Sequence, residues 1–161
     1  MDRKLIFKNI KERELGELAS RVRSFVDGPA LILLEGPLGA GKTAFSRAFI
    51  NHPTPSPTYT LLNECEDILH GDFYRLEDEN ELEYLELALY LEGKKTFLLE
   101  WGLKWLPSFQ RDLPKEMAIF LMKFSLVSNS PELRSIDLRE LTDSKEELEQ
   151  KTRQFIPIKK L

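Results

Sequence analysis

The sequence of 161 residues is poor in the features of secreted and membrane-spanning proteins. Its one cysteine, Cys65, can form neither an internal disulfide nor a Cys-x-x-Cys zinc pair, and is predicted to be a small core or strand residue. No apolar run approaches the roughly 18 residues of a membrane-spanning helix. In residues 1–16 charges interrupt every apolar cluster, unlike in a secretory signal. We therefore expect a cytoplasmic protein that makes no membrane contact.

The sequence also lacks the excess of positive charge that is typical of nucleic-acid-binding proteins. Its 27 Asp and Glu residues outnumber its 23 Lys and Arg residues, which gives a net charge of −4 at pH 7. No overall field therefore attracts the protein to a phosphate backbone. Any RNA in its function is expected to arrive through a partner protein.

Apolar residues make up 42% of the chain, which is enough for one well-filled core and predicts a single domain over residues 1–161. Predicted helices cover 11–26, 42–50, 79–91 (one or two short helices) and 144–155, and predicted strands cover 30–35, 59–66, 67–76, 96–101, 117–127 and 133–138. Three prolines predict an extended loop over 51–58. This order indicates an α/β fold with a mostly parallel central sheet, antiparallel strands toward the C-terminal part and helices on both faces.

A glycine-rich segment lies between the predicted strand 30–35 and the predicted helix 42–50 and fits G-x-x-x-x-G-K-[ST] at every fixed position. Its glycines let successive backbone N–H groups point inward, and the helix adds the positive end of its dipole. Such a cradle holds a polyphosphate. The residues predicted to bind it are Gly36, Pro37, Leu38, Gly39, Ala40, Gly41, Lys42, Thr43 and Ala44.

Two residues of this segment have predicted chemical roles. Lys42 is expected to reach the β- and γ-phosphates, and the Thr43 hydroxyl to bind a bridging Mg²⁺. The alternative is a glycine-rich turn with a chance lysine. The independent signals for the flanking strand and helix disfavour that alternative.

Hydrolysis also requires a carboxylate near the metal, and two acidic residues are candidates. Glu100 follows the apolar residues 96–99 and resembles a Walker B acid, although a solvated acid at a strand end is the alternative. Asp72, in His-Gly-Asp-Phe-Tyr-Arg, is the weaker candidate. Both are predicted to lie at the same edge of the sheet.

Four separated motifs occur in order: GPLGAGKTAFSRAF, SPTYTLLNE, HGDFYRL and LLEW. Together they resemble the TsaE (YjeE) family of P-loop ATPases that act in bacterial threonylcarbamoyl-adenosine modification of tRNA. The resemblance implies a three-layer P-loop NTPase fold, ATP and Mg²⁺ as cofactors, and weak ATPase activity. It implies TsaD and TsaB proteins as partners, with tRNA met only indirectly through their complex.

The resemblance also assigns residues. Lys42 and Thr43 take the phosphate and Mg²⁺ roles, Glu100 the Walker B role, and Asp72 a metal-linked or catalytic role. The segment 56–58 matches a switch-like loop that places Thr58 near the γ-phosphate, and Arg134 matches a late arginine beside the nucleotide.

The sequence departs from the family pattern at Gly71, where the family has an aromatic residue between the histidine and the aspartate. Loss of that ring is expected to remove packing behind Asp72 and to leave the backbone there freer. The connection over 49–56 is also shorter than usual.

Three other classes of protein use related loops. A GTPase requires N-K-x-D and D-x-x-G, and neither string occurs in the chain. A small-molecule kinase requires an arginine-rich lid, which the sequence does not contain. A non-hydrolysing assembly factor, which docks a partner when ATP is bound, stays open as an alternative.

Overall fold

The computed structural model describes residues 3–52 and 60–142. The strands are β1 (Lys4–Ile10), β2 (Ala30–Glu35), β3 (Leu62–Cys65), β4 (Ile68–Asp72), β5 (Thr96–Glu100), β6 (Ala118–Val127) and β7 (Ser130–Leu141). The α-helices are α1 (Leu15–Val26), α2 (Lys42–Ile50), α3 (Glu79–Tyr84), α4 (Leu87–Leu91) and α5 (Leu106–Phe109). Short 3₁₀ turns cover Glu12–Glu14, Leu103–Trp105 and Gln110–Asp112.

The strands form one seven-stranded sheet in the order β1-β7-β6-β2-β5-β4-β3. The middle is parallel, since β2 pairs with both β5 and β6, and β4 pairs with β5. Antiparallel pairs flank it on both sides: β6 with β7, β1 with β7, and β3 with β4. The predicted mixed α/β sheet with a parallel centre is confirmed, and its antiparallel part extends further than predicted.

The central strand β2 is covered on both faces, as its unbroken apolar sequence predicts. On one face Ala30, Ile32 and Leu34 pack in a cluster with residues of α1 and α2. On the other face Leu31 and Leu33 pack in a cluster with residues of α3, α4 and α5. This two-sided burial fixes the position of the loop that follows β2.

The helices follow their apolar periodicity. In α1 the buried residues include Leu15, Leu18 and Val22, and the helix ends at Val26, before Asp27, whose backbone is left-handed (φ 40°). Helix α2 has the predicted bounds, and two short helices occupy 79–91. Within 3–52 and 60–142, no helix combines the length and apolar character needed to cross a bilayer.

Several boundaries differ from prediction. Strand β1 was not predicted, and β7 is longer than the predicted 133–138. Strands β3 and β4 are shorter than the predicted 59–66 and 67–76. Cys65 ends β3, as a strand residue. The predicted helix 144–155 and most of the predicted loop 51–58 lie outside the described residues.

Candidate functional site

An open cleft of about 690 Å³ lies at the carboxyl ends of β2, β4 and β5. This edge of a parallel sheet is where α/β proteins bind ligands. Its lining includes residues 38–44 together with Asp72, Tyr74, Glu100 and Trp101. Residues 10–13, at the end of β1, also line it, as do Pro131, Glu132, Arg134 and Ile136 of β7. The glycine-rich loop therefore lines this cleft.

The loop needs glycine at two positions for different reasons. At Gly36 (φ 150°) an added Cβ would lie 2.6 Å from the carbonyl oxygen of Phe124, so β6 approaches too closely for a side chain. Gly41 (φ 104°) has the left-handed backbone that immediately precedes α2. Between them the Ala40 N–H donates to the Pro37 carbonyl oxygen at 3.1 Å. The loop is thus a compact turn that delivers the chain into the first turn of α2.

Lys42, the first residue of α2, is 4% exposed and points back over the loop. Its Nζ donates to the carbonyl oxygens of Gly36 at 2.6 Å and Pro37 at 2.9 Å. The same atom lies 4.3 Å from the centre of the Trp101 ring. An ammonium has three N–H donors, so these two carbonyls leave one donor for a further acceptor.

Trp101 has a left-handed backbone (φ 59°), which is uncommon for a non-glycine residue. Its N–H donates to the Leu34 carbonyl oxygen at 3.2 Å, which ties the end of β5 to β2. Its ring packs against Tyr74, with 5.1 Å between ring centroids. The two rings therefore form a wall of the cleft beside the Lys42 ammonium.

Glu100 lies at the centre of the site and is 3% exposed. Its Oε1 accepts a hydrogen bond from the Thr43 hydroxyl at 2.8 Å. Its Oε2 lies 2.7 Å from His70 Nε2, within hydrogen-bond distance. Each carboxylate oxygen thus has one protein partner. The Thr43 oxygen keeps its lone pairs for another ligand.

Asp72 ends β4 directly opposite Glu100 in the parallel β4–β5 register, and both residues line the cleft. Its Oδ1 accepts from the Tyr74 N–H at 3.0 Å. Burial raises the pKa of Asp72, the Tyr74 hydrogen bond lowers it, and the charge of Glu100 raises it further. The two predicted acids therefore lie at one sheet edge, as the sequence indicates.

The predicted metal ligands are a hydroxyl and two carboxylates, an all-oxygen set of the kind Mg²⁺ prefers. In the part of the chain that the structure describes, no cluster of three or more His, Cys, Asp or Glu side chains is placed to hold a metal by itself. Mg²⁺ at nucleotide sites is usually held by one or two carboxylates together with substrate phosphates, so the carboxylates of Asp72 and Glu100, with the Thr43 hydroxyl, fit that use.

The expectation that Gly71 loosens the packing behind Asp72 is wrong. A Cβ at Gly71 would lie 2.9 Å from Leu99 Cδ1 and 3.0 Å from Leu62 Cδ2, so neighbouring side chains already fill the space of the missing ring. The Asp72 N–H donates to the Leu61 carbonyl oxygen at 3.0 Å. The position of Asp72 is therefore fixed by strand pairing and packing.

The structure bears differently on the remaining residues that were predicted to belong to the site. Arg134 lines the cleft, but its guanidinium contacts backbone carbonyls of the loop. Thr58 lies outside the described residues, and its role stays a prediction. Sequence reasoning assigned no role to His70 or Tyr74, although both belong to the motif that contains Asp72.

Burial is the largest cause of the pKa shifts of the charged residues at the loop. Burial lowers the pKa of Lys42, against the opposing charges of Glu100, Glu35 and Asp72. Burial raises the pKa of Glu35, the last residue of β2, from 4.5 to about 7. Two weaker effects lower the pKa of Glu35: a hydrogen bond from the Leu103 N–H to its Oε1 at 2.8 Å, and the charge of Lys42. Glu35 was not singled out by the sequence.

Glu35→Gln is expected to stabilise the protein above pH 7 by up to ~3 kcal/mol. Between pH 4.5 and about 7 the folded protein holds a proton that the unfolded chain has released, so wild-type stability falls as pH rises through this window. Glutamine accepts the same hydrogen bond from Leu103 without a charge to bury. Denaturant unfolding of both proteins at several pH values measures the gap between their free energies of unfolding. The gap should shrink as the pH falls toward 4.5, and a gap independent of pH would refute the account.

Comparison with known proteins identifies the same family that the sequence motifs resemble. The sequence profile of the family "Threonylcarbamoyl adenosine biosynthesis protein TsaE" matches residues 10–145. The chain is 32% identical over 130 residues to the tRNA threonylcarbamoyladenosine biosynthesis protein TsaE of Bacillus subtilis, covering 75% of this chain and 78% of that protein. It is 33% identical over 101 residues to the protein of the same name from Aquifex aeolicus, covering 56% and 71%.

A solved structure is similar over nearly the whole chain. The crystal structure of Bacillus subtilis YdiB matches with a TM-score of 0.57 and 23% identity, covering 96% of this chain and 97% of that one. At that identity the match supports the fold alone. It agrees with the mixed α/β sheet described above.

Proposed function

The chain belongs to the TsaE family, and on that basis we propose that it is a Mg²⁺-dependent, ATP-binding protein with weak ATPase activity that supports tRNA threonylcarbamoyladenosine biosynthesis. The pathway follows from the family. ATP, Mg²⁺ and hydrolysis are supported by the arrangement of the site, and the fold is proposed to be that of a P-loop NTPase.

The observation that carries the proposal is the 2.8 Å hydrogen bond between Thr43 Oγ1 and Glu100 Oε1. It joins the first turn of α2 to the end of a neighbouring buried strand, 57 residues away in sequence. A hydroxyl at the helix start and a carboxylate behind it are the groups a P-loop site uses at its metal. Thr43 and Glu100 would hold Mg²⁺ here, and the metal would supply positive charge against the phosphates.

The chain's own groups have distinct tasks in this proposal. The loop amides and the start of α2 bind the phosphates, and the Lys42 ammonium adds a positive charge held in place by two carbonyls. Glu100 holds the Thr43 hydroxyl in orientation. Asp72, whose carboxyl faces the same cleft, is proposed to orient the attacking water or to complete the metal site.

The base is proposed to bind in the part of the cleft that is lined by the end of β1 and by β7. There Ile10 and Ile136 offer apolar surface for a planar ring. Adenine is proposed because of family membership and because the guanine-reading string is absent from the sequence. Cytoplasmic location and TsaD and TsaB partners are also proposed from the family, with tRNA reached through their complex.

A pull-down with purified TsaD and TsaB proteins, with and without ATP and Mg²⁺, tests this function. We expect the chain to co-elute with them when ATP is present. Absence of association under both conditions, with a folded protein, would contradict the proposed pathway role.

His70→Leu is expected to lower ATP turnover about 10- to 100-fold, the cost typical of losing a partner that orients a metal-site group. The change removes the hydrogen bond to Glu100 Oε2, while the loop that binds the phosphates keeps its own contacts. ATP affinity should therefore change much less than turnover. Steady-state phosphate release and calorimetric titration measure the two quantities.

His52→Leu is the matched control, since His52 is exposed and its Nε2 lies 3.7 Å from Glu66 Oε1. Its turnover should equal that of wild type. If His70→Leu, folded by circular dichroism, retained full turnover, His70 would have no part in positioning Glu100.

A further inference from the structure

Arg134, on β7, directs all three nitrogens of its guanidinium at backbone carbonyls. Nε donates to Ala40 O at 3.1 Å and Nη2 donates to Gly39 O at 2.9 Å, across 94 and 95 residues of sequence. Nη1 donates to Leu133 O at 2.8 Å and also to Pro131 O. One side of the guanidinium therefore donates hydrogen bonds to the glycine-rich loop, and the other side donates to carbonyls of its own strand.

These hydrogen bonds are made to the part of the loop whose backbone has the most conformational freedom. Gly39 and Gly41 both have positive φ, 78° and 104°, and an added Cβ at either would meet nothing within 4 Å. Glycine in such a turn has more conformational freedom than any other residue, so an external contact is needed to hold one shape. The charged, planar fork of arginine suits two adjacent carbonyl acceptors.

Holding these carbonyls also sets the direction of the amides. The C=O and N–H of a trans peptide point in opposite directions, so a carbonyl of Ala40 turned to Arg134 turns the N–H of Gly41 away from it. The preceding N–H, of Ala40, is already used by the Pro37 carbonyl. The carbonyl groups of Gly39 and Ala40 thus point toward Arg134, and the amide N–H groups of the same peptides point away from it.

We propose that Arg134 is a positioning residue that holds the loop in its anion-receiving shape through the carbonyls of Gly39 and Ala40, and does not itself bind the nucleotide. The proposal rests on the proposed function, in which the loop amides bind phosphate. It replaces the sequence-based prediction of a direct contact. A residue that acts through the loop affects every ligand whose phosphates the loop holds, ADP and ATP alike, whereas a ligand of the γ-phosphate affects ATP alone.

Amide hydrogen exchange in the nucleotide-free protein tests the positioning step by itself. In Arg134→Met the amide of Ala40 is expected to exchange at least about tenfold faster than in wild type, because the loop loses two charge-assisted hydrogen bonds. Amides of the buried strands, such as that of Leu33, report whether the fold is intact and should not change. Unchanged exchange at Ala40 would overturn the proposal.

Two further variants make the test complete. Arg139→Met removes an arginine from the same strand, one that pairs with Asp137 at 2.7 Å, and should leave exchange at Ala40 unchanged. Arg134→Lys keeps the charge but loses the planar fork, and is expected to give intermediate acceleration. If amides of the buried strands also exchanged faster in Arg134→Met, the Arg134→Lys variant would be the deciding test. An Ala40 exchange rate in Arg134→Lys equal to that of wild type would then overturn the proposal.

Calorimetric titration with ADP and with MgATP separates positioning from direct binding. Arg134→Met should weaken both nucleotides about equally, by about tenfold. A loss confined to ATP would identify a γ-phosphate ligand and overturn the proposal. If wild type bound neither nucleotide while Ala40 still exchanged faster in the variant, the proposed function would fail and the positioning of the loop would stand.

Discussion

Lys42→Ala is expected to weaken ATP binding by about 100-fold, the upper range for loss of charge-assisted hydrogen bonds. The ammonium is buried and is held against the loop by the carbonyls of Gly36 and Pro37, so its charge is fixed beside the cleft before any ligand arrives. No other residue of the loop carries a charge. Calorimetric titration with MgATP measures the change.

Two controls accompany this variant. Lys42→Met keeps an apolar side chain beside Trp101 and removes the ammonium, and should show the same loss. Lys94→Ala removes a lysine at the opposite end of β5, where it pairs with Glu64 at 3.0 Å, and should bind as wild type does. Unchanged ATP affinity in folded Lys42→Ala would contradict the phosphate cradle.

Glu100→Ala is expected to abolish turnover, with a loss of at least about 10²–10³, while ATP affinity stays within a few fold. Glu100 holds the Thr43 hydroxyl and is held by His70, so its removal disorders the proposed metal site and leaves the loop amides and Lys42 in place. Phosphate release, measured with and without TsaD and TsaB proteins, gives the turnover. Equal turnover in the variant would remove Glu100 from the mechanism.

The same experiment separates an ATPase from a non-hydrolysing assembly factor. Glu86→Ala, an exposed acid between α3 and α4, is the control and should turn over as wild type does. If wild type itself showed no turnover with TsaD and TsaB proteins but still associated with them only when ATP was present, the assembly factor would be the better description.

The loop and its surroundings could be predicted from the sequence because their signals are local. The residues 36–43 combine glycines, a lysine and a threonine at fixed spacing, and the apolar run before them and the helical periodicity after them lie within a few residues. The position of Glu100 at a strand end follows in the same way from the apolar residues 96–99. Local patterns of this kind are the most reliable part of sequence interpretation.

The features that the sequence did not reveal depend on contacts between distant segments. Strand β1 is defined by pairing with β7, and its alternation is broken by a register shift between Phe7 and Ile10. His70 meets Glu100 only because β4 and β5 run parallel in a particular register. Arg134 reaches the loop only through the order of strands in the sheet. None of these relations leaves a local pattern in the chain.

The raised pKa of Glu35 has the same origin. Its sequence position, at the end of an apolar run, does not show whether the carboxyl group is buried or solvated. The structure buries it beneath the segment that follows β5, and the bond from the Leu103 N–H offsets only part of the cost. Burial of this kind depends on packing between segments 68 residues apart.

A crystal structure of the protein with Mn²⁺ in place of Mg²⁺ and a non-hydrolysable ATP analogue is the most direct measurement of how the site works. We expect the β- and γ-phosphates against the amides of 36–43, with the anomalous signal of the metal beside the Thr43 hydroxyl. Nucleotide bound elsewhere, or a metal remote from Thr43 and Glu100, would contradict the account.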